Sequence, residues 1–204
     1  MEITSDTLRI DRRRAAIVRE ARQLFLEQGY DRTTLAEIVA RAGGSLATIY
    51  KLFGNKDGLL EAVIVETAPL GEALVRDAEA KRLSPADTLR LIAEGLYQHF
   101  MAPEVIALVR IVIARSINEP LFARQFFDRT AYRTRDAIAA LFARWDVEGV
   151  SMQGAPDFLA DMFMGLFVRD LQTQAISHGS ANSMLPEQLR ERTDFFLKGA
   201  GLSA

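Results

Sequence analysis

The chain contains no cysteine, which excludes disulfides and thiolate metal sites. It has only two histidines, His99 and His178. A lone histidine near a helix end serves as a surface or capping group, so no metal site is expected. Long apolar runs are also missing: "VIALVRIVIA" at 105–114 is interrupted by Arg110 and falls short of the roughly 18 residues that span a bilayer. The opening "MEITSDTLRIDRRR" has no apolar stretch behind its charges and does not read as a secretory signal. A soluble cytoplasmic protein is the expectation. Strict alternation of apolar and polar residues is nearly absent, and with it the signal for strands. There is no G-x-S-x-G, no phosphate-binding glycine loop and no H-E-x-x-H, so no catalytic residue and no cofactor is expected.

What remains is apolar and helical. With 49% hydrophobic residues among 204 the chain can bury a sizeable core, and nearly every segment repeats its apolar residues with a helical period. The fold class is all-α, with about nine helices. Ile17, Ala21, Leu24 and Phe25 make one stripe, closed near Gln28 by Gly29. Thr34 caps a short second helix, with Glu37 three residues on completing a capping box. Gly43-Gly44 turn the chain, and Ser45 caps a third helix that turns Ile49 and Phe53 inward. A fourth helix starts near Asn55. Further helices follow at about 85–100, from 104 to 117 as a segment apolar nearly all round, from Pro120 through Trp145, at 157–178 and at 186–200, the last two separated by "SHGSANSMLP".

Charge divides the chain. From Arg9 to Lys56 there are ten basic residues against five acidic ones, a net of +5, so the rest carries −7 to reach the overall −2. A small basic module on an acidic body suits a polyanionic partner. Three short helices in about 45 residues, the last two joined by a glycine turn, form a helix-turn-helix, whose second member enters the major groove. With Ile49 and Phe53 inward, the outer faces of that helix hold Leu46, Ala47, Thr48, Tyr50 and Lys51. Leu46 and Ala47 suit a thymine methyl, Thr48 a base edge or phosphate, Tyr50 and Lys51 the backbone. Lys56, on the first turn of the next helix, adds charge beside amides that favour phosphate. Thr34 and Ser45 complete the candidate DNA-binding set.

Residues 12–64 resemble the DNA-binding domain of the TetR family of bacterial regulators. The resemblance rests on Ala21, Leu24, Phe25, Gly29, Thr34, Ile38, Ala42, Gly43, Ser45, Thr48, Tyr50, Phe53 and Lys56, above all on "T-I-Y-x-x-F-x-x-K" following "A-G". Gly44 departs from it, standing where the family more often has valine, a loss of an apolar contact expected to loosen the turn. The resemblance implies three parts: a flexible tail at 1–8, a helix-turn-helix domain at 9–54, and a helical regulatory and dimerisation domain at 55–204. It implies a homodimer that reads a pseudo-palindromic operator in double-stranded DNA, with recognition helices about 34–36 Å apart or somewhat more. It also implies repression relieved when a small-molecule effector in the second domain moves the fourth helix.

In the body, Phe100, Met101, Phe122, Phe126, Phe127, Met162, Phe163 and Phe167 either line an apolar ligand pocket or form plain core. Arg110 lies mid-helix among aliphatic residues, where a charge needs a partner. That partner is either an acid such as Asp161 or Asp170, or a polar group of the ligand. The last two helices carry apolar residues on more than one face. Phe158, Leu166, Leu171, Leu189, Phe195 and Phe196 are accordingly expected at a four-helix dimer interface. Two other functions fit the helical pattern, a protein-binding adaptor without DNA contacts and an activator of the same fold.

Overall fold

The computed structural model describes residues 5–67, 69–179 and 185–202, so residues 1–4 of the expected tail and all of "SANSM" lie outside the described residues. Among the described residues there are eleven helices: α1 Ser5–Gln28, α2 Leu35–Ala42, α3 Leu46–Phe53, α4 Lys56–Thr67, α5 Pro69–Glu79, α6 Pro85–Phe100, α7 Pro103–Ser116, α8 Pro120–Arg129, α9 Ala131–Val147, α10 Pro156–Ile176 and α11 Pro186–Gly199. Among the described residues there is no strand. All six prolines stand first in a helix, where the missing N–H costs nothing and the fixed φ already suits the turn.

The count exceeds the expected nine at two places. One is α5, which the sequence reading passed over. The other is the expected continuous helix from Pro120 to Trp145, which breaks at Thr130. Its backbone leaves helical geometry at φ −132° and ψ −77°, and its hydroxyl donates to the Phe126 carbonyl at 2.5 Å.

The chain forms two compact units, Met1–Thr67 and Ala68–Ala204. The boundary read from sequence at 54/55 therefore moves to the end of α4. Leu59, Leu60 and Val63 of α4 are fully buried, packed in the first unit with α1 and α3. Helix α1 begins at Ser5, within the stretch expected as a tail.

In the first unit, Ile17, Val18, Ala21, Leu24 and Phe25 of α1, Ile38 of α2, Ile49 of α3 and one face of α4 are buried, with α1 packed on α2 and α4, and α3 on α2 and α4. Each such aliphatic or aromatic side chain stabilises by about 1.5–3 kcal/mol relative to exposure, so one residue per short helix is enough to fix α2 and α3.

The second unit is built around α10, which packs on α9, α7, α6 and α11. Its core joins Leu89, Ile92 and Leu96 of α6 to Ile138, Leu141 and Phe142 of α9 and to Phe163 and Phe167 of α10. Phe163 and Phe196 stack at 5.2 Å between ring centres. α5 lies close on α6 and α9 because Gly71 and Gly95 carry no side chain: a Cβ on Gly71 would stand 2.1 Å from Thr134 Oγ1, and one on Gly95 2.8 Å from Leu74 Cδ2. α6 and α7 meet at 68°. Although its sequence is apolar nearly all round, α7 is not covered on all sides. Only Leu108 and Val112 are buried on it, and its neighbour α8 buries nothing.

Candidate nucleic-acid interface

The helix-turn-helix is assembled by short-range hydrogen bonds that the sequence specifies. Thr34 has extended backbone, and its hydroxyl accepts from the Glu37 amide at 3.2 Å while the Glu37 carboxylate accepts from the Thr34 amide at 2.7 Å. This is the expected capping box. Hydrogen bonds donated to it by the Thr34 amide first, and then by the Thr34 hydroxyl, hold the Glu37 carboxyl below the ordinary glutamate range. α2 then ends at Gly43, φ +74°, and Gly44 follows at φ +104°, values that L side chains rarely adopt. Ser45 restarts the chain as the cap of α3, its Oγ accepting from the Thr48 amide at 3.3 Å.

On α3, Ile49 is fully buried and Phe53 half-buried, with the Arg14 guanidinium 5.0 Å over the Phe53 ring. The opposite face is open: Leu46, Ala47, Tyr50 and Lys51 are exposed, Tyr50 by 56%, and Thr48 is half-buried. Leu46 and Tyr50 thus leave apolar surface on this eight-residue helix that the rest of the first unit does not cover.

At the start of α4, Asn55 Oδ1 accepts from the Gly58 amide at 2.8 Å and caps the helix. Lys56 lies against Tyr30, Nζ 4.3 Å from its ring centre, and donates to the Asp31 carbonyl at 3.3 Å. The Tyr30 hydroxyl in turn donates to Asp57 Oδ1 at 2.5 Å. The structure thus brings Leu46, Ala47, Thr48, Tyr50 and Lys51 onto one helix and fixes Lys56 at the first residue of the next. Thr34 and Ser45 are occupied as caps. The Thr34 hydroxyl also donates to Glu37 Oε2 at 2.8 Å, so a carboxylate, not an open amide, fronts the start of α2.

Sequence reasoning missed Arg13. It donates to the Ala42 carbonyl at 3.2 Å and lies across both glycines of the turn, its Cδ 3.7 Å and its NH1 3.6 Å from where a Cβ of Gly44 would be. The turn is therefore not left bare by the absent valine: an arginine stem covers it. The only signal in the sequence was the run Arg12-Arg13-Arg14, which says nothing of direction.

The other candidate sites separate. Of the pocket residues, Phe163 is fully buried in the core, while Met162 (51%) and Phe127 (42%) face outward. Phe100, Arg110, Phe122 and Phe126 are half-buried. Arg110 pairs with neither expected acid. Its Nε donates to the Ala175 carbonyl at 2.9 Å, whereas Asp161 holds Arg135 at 2.7 Å and Asp170 holds Arg192 at 2.6 Å. The Arg135 hydrogen bond depresses the Asp161 carboxyl below its ordinary range. Of the expected interface residues, Leu171, Leu189 and Phe196 are buried within their own chain; Phe158 is 56% and Phe195 81% exposed, and Leu166 is half-buried.

A capped, one-side-exposed helix joined by a glycine turn to a second helix, which packs on a third, defines a helix-turn-helix DNA-binding protein. Residues 17–63 match the model of bacterial regulatory proteins of the tetR family, and residues 87–197 that of the AefR-like transcriptional repressor C-terminal domain. The chain belongs to the TetR family: it is a transcriptional regulator and not an enzyme. It is 27% identical over 159 residues to the HTH-type transcriptional regulator BetI of Burkholderia cenocepacia, covering 77% of this chain and 81% of that one. A TetR-family regulator structure from Mesorhizobium loti superposes with a TM-score of 0.82 at 25% identity, over 94% of this chain and 98% of the other. Thermus thermophilus FadR, a TetR-family repressor in complex with lauroyl-CoA, superposes with a TM-score of 0.69 at 22% identity, over 91% and 94%. Curated regulators of higher identity, 40% and 41%, match over 58 and 51 residues only, and the chain spans about a quarter of their length.

Proposed function

We propose that this regulator is a repressor that binds a pseudo-palindromic operator as a homodimer and releases it when a small molecule occupies the second unit. The observation that carries the DNA reading is the open face of α3. Leu46, Ala47 and Thr48 are at its N-terminal end to meet base edges, Tyr50 and Lys51 to meet phosphates, with Lys56 adding a second backbone contact. Thr34 and Ser45 act by starting α2 and α3 at the right residues. The match to a repressor's C-terminal domain supports repression over activation.

The dimer forms through the outward side of α10 and α11. These helices run antiparallel, Asp170 opposite Arg192 and Phe163 opposite Phe196, and they present Phe158, Met162 and Phe195 to solvent. Three large apolar side chains left open on adjacent helices suit a second copy of the same face. Leu166, half-buried, lies at its edge, and Leu171, Leu189 and Phe196 support it from beneath.

For the effector, the loosely covered α7–α8 region offers Phe100, Phe122 and Phe126 as apolar walls, with Arg110 for a polar or anionic end. The neighbouring FadR is in complex with lauroyl-CoA, which supports a ligand with an apolar body and an anionic group for these residues. Release follows if the effector binds better to the chain geometry that spoils operator spacing, with α4, the last helix of the first unit, carrying the shift.

Selection of the purified protein against a random duplex library at near-physiological salt tests the reading. An enriched inverted repeat is expected. Recovery of no motif from folded dimer would exclude operator binding, and an asymmetric single site would exclude the dimeric mode.

A further inference from the structure

Along α10 the residues left open to solvent keep a regular spacing. Phe158, Met162, Gly165, Arg169, Gln172 and Ile176 are all exposed and follow one another at intervals of four, three, four, three and four residues. That is the period of about 3.5 residues with which one helix winds against another. Two of the six have no role within their own chain. A glycine inside a helix is destabilising relative to alanine, yet a Cβ on Gly165 would meet nothing within 4 Å among the described residues, so no neighbour in the chain requires its absence. The Arg169 side chain has no hydrogen bond or ion pair among the described residues; only its carbonyl is engaged, accepting from Thr173 Oγ1 at 2.8 Å.

The stripe is self-complementary. Its spacing reads the same from either end about the level of Phe167, so an antiparallel second copy of α10 sets Phe158 against Ile176, Met162 against Gln172 and Gly165 against Arg169, each pair occurring twice. We propose that α10 pairs with α10 of a second copy in this register, with Arg169 of each chain seated in the notch left by Gly165 of the other, and that these two residues decide which chain is accepted as partner. The register rests on the proposed dimer through α10 and α11, and adds to it an orientation and a reason for preferring a like chain. A shift by one heptad leaves either Ile176 or both Phe158 and Met162 without a counterpart, exposing apolar surface that the central register buries. Charge agrees with the same arrangement. The two arginines flank the two-fold axis and repel each other, which directs each along the other helix toward Asp161, one turn before Gly165. Asp161 is 64% exposed and takes Arg135 through Oδ1, and a carboxylate has acceptor sites for a second guanidinium. A single charged position in such a seam lowers stability and specifies register and partner, and a chain with a side chain at the glycine position would clash with the arginine.

The chain has no cysteine, so introduced ones report contacts without background. In full-length protein carrying Phe158→Cys and Ile176→Cys, the two positions of one chain are about 27 Å apart along the helix and can bridge only between chains. Mild oxidation should give a covalent dimer from this variant and none from Phe158→Cys alone. Gly165→Leu fills both notches and should raise the dimer dissociation constant, followed by sedimentation, at least about tenfold. Mixing Gly165→Leu with Arg169→Ala should recover a tight dimer containing one chain of each, because one contact then sets the introduced leucine against the introduced alanine while the other keeps glycine against arginine. If Gly165→Leu alters the helical circular dichroism, the cysteine pair decides alone. No covalent dimer from the double variant, a covalent dimer from Phe158→Cys alone, or a folded Gly165→Leu dimer as tight as the unmodified one would overturn the register; with Phe195→Glu still monomeric, α10 and α11 would stand as the interface. A dimer untouched by Phe195→Glu and by Gly165→Leu, with no cysteine pairing, would overturn both.

Discussion

At the scale of single residues, hydrogen bonds made within three or four positions set the helix starts that position the DNA face. The Thr34–Glu37 box is the clearest. Because the folded carboxyl of Glu37 is held below its unfolded range, its contribution is fully present above the unfolded value of about 4.3 and is lost as pH falls through the lower folded value. Glu37→Gln keeps an acceptor for the Thr34 amide but loses the charge. The stability gap between the two proteins, followed by urea unfolding, should therefore be constant near neutrality and close below about pH 4; a gap that persists in acid would assign it to something other than ionisation. Tyr30 illustrates a longer link. Its hydroxyl ties the α1–α2 loop to Asp57 of α4 from an 8% exposed site, and Tyr30→Phe should cost about 1–3 kcal/mol in chemical denaturation, as expected when a charged acceptor in a partly buried site loses its donor.

Among the elements, close approach of backbones decides more than propensity. α5 reaches α9 only because Gly71 has no side chain, with Thr134 occupying the space a Cβ would take. Gly71→Val should separate the two helices and lower stability by about 1–3 kcal/mol, the usual cost of overpacking. A melting temperature unchanged by that substitution would mean that α5 can slide without loss. The element boundaries were legible where punctuation is local. Pro85 and Pro120 open helices, and Pro69, by the same rule, marked the α5 that the periodicity reading left out. The break at Thr130 was not legible, since the apolar spacing of Phe122, Phe126, Phe127 and Ile138 continues across it. A β-branched residue whose hydroxyl takes the Phe126 carbonyl ends α8 where the pattern alone would not.

For the whole molecule, the proposed function needs two surfaces engaged at once, the α3 face by DNA and the outward side of α10 and α11 by a second copy. Phe195→Glu places a charge where 81% of the side chain is already open to solvent, so the fold should be unaffected while sedimentation at micromolar concentration shifts from dimer to monomer. Operator affinity should fall with it, because a half-operator bound by one protomer loses the linked second contact. A persistent dimer with unchanged affinity would move the interface elsewhere. Tyr50→Phe combined with Lys56→Ala should weaken binding to all duplexes alike and leave the selected motif intact, the mark of backbone contacts; an altered motif would place one of them on a base.

The sequence alone determined the all-α class, the helix-turn-helix and its caps, and the residues on the outer face of α3. Each of these follows from hydrogen bonds, φ preferences and apolar periods that act within one or two turns of helix. What covers a given apolar or charged side chain is a matter of residues far away in the chain, and only tertiary packing decided it. Leu171, Leu189 and Phe196 looked as free as Phe158 and Phe195 until the core of the second unit took them in. Arg110 found a carbonyl 65 residues distant in place of either acid. Arg13 found the turn 29 residues on. A period tells how many faces a helix has to bury; it does not say which neighbour arrives to bury them.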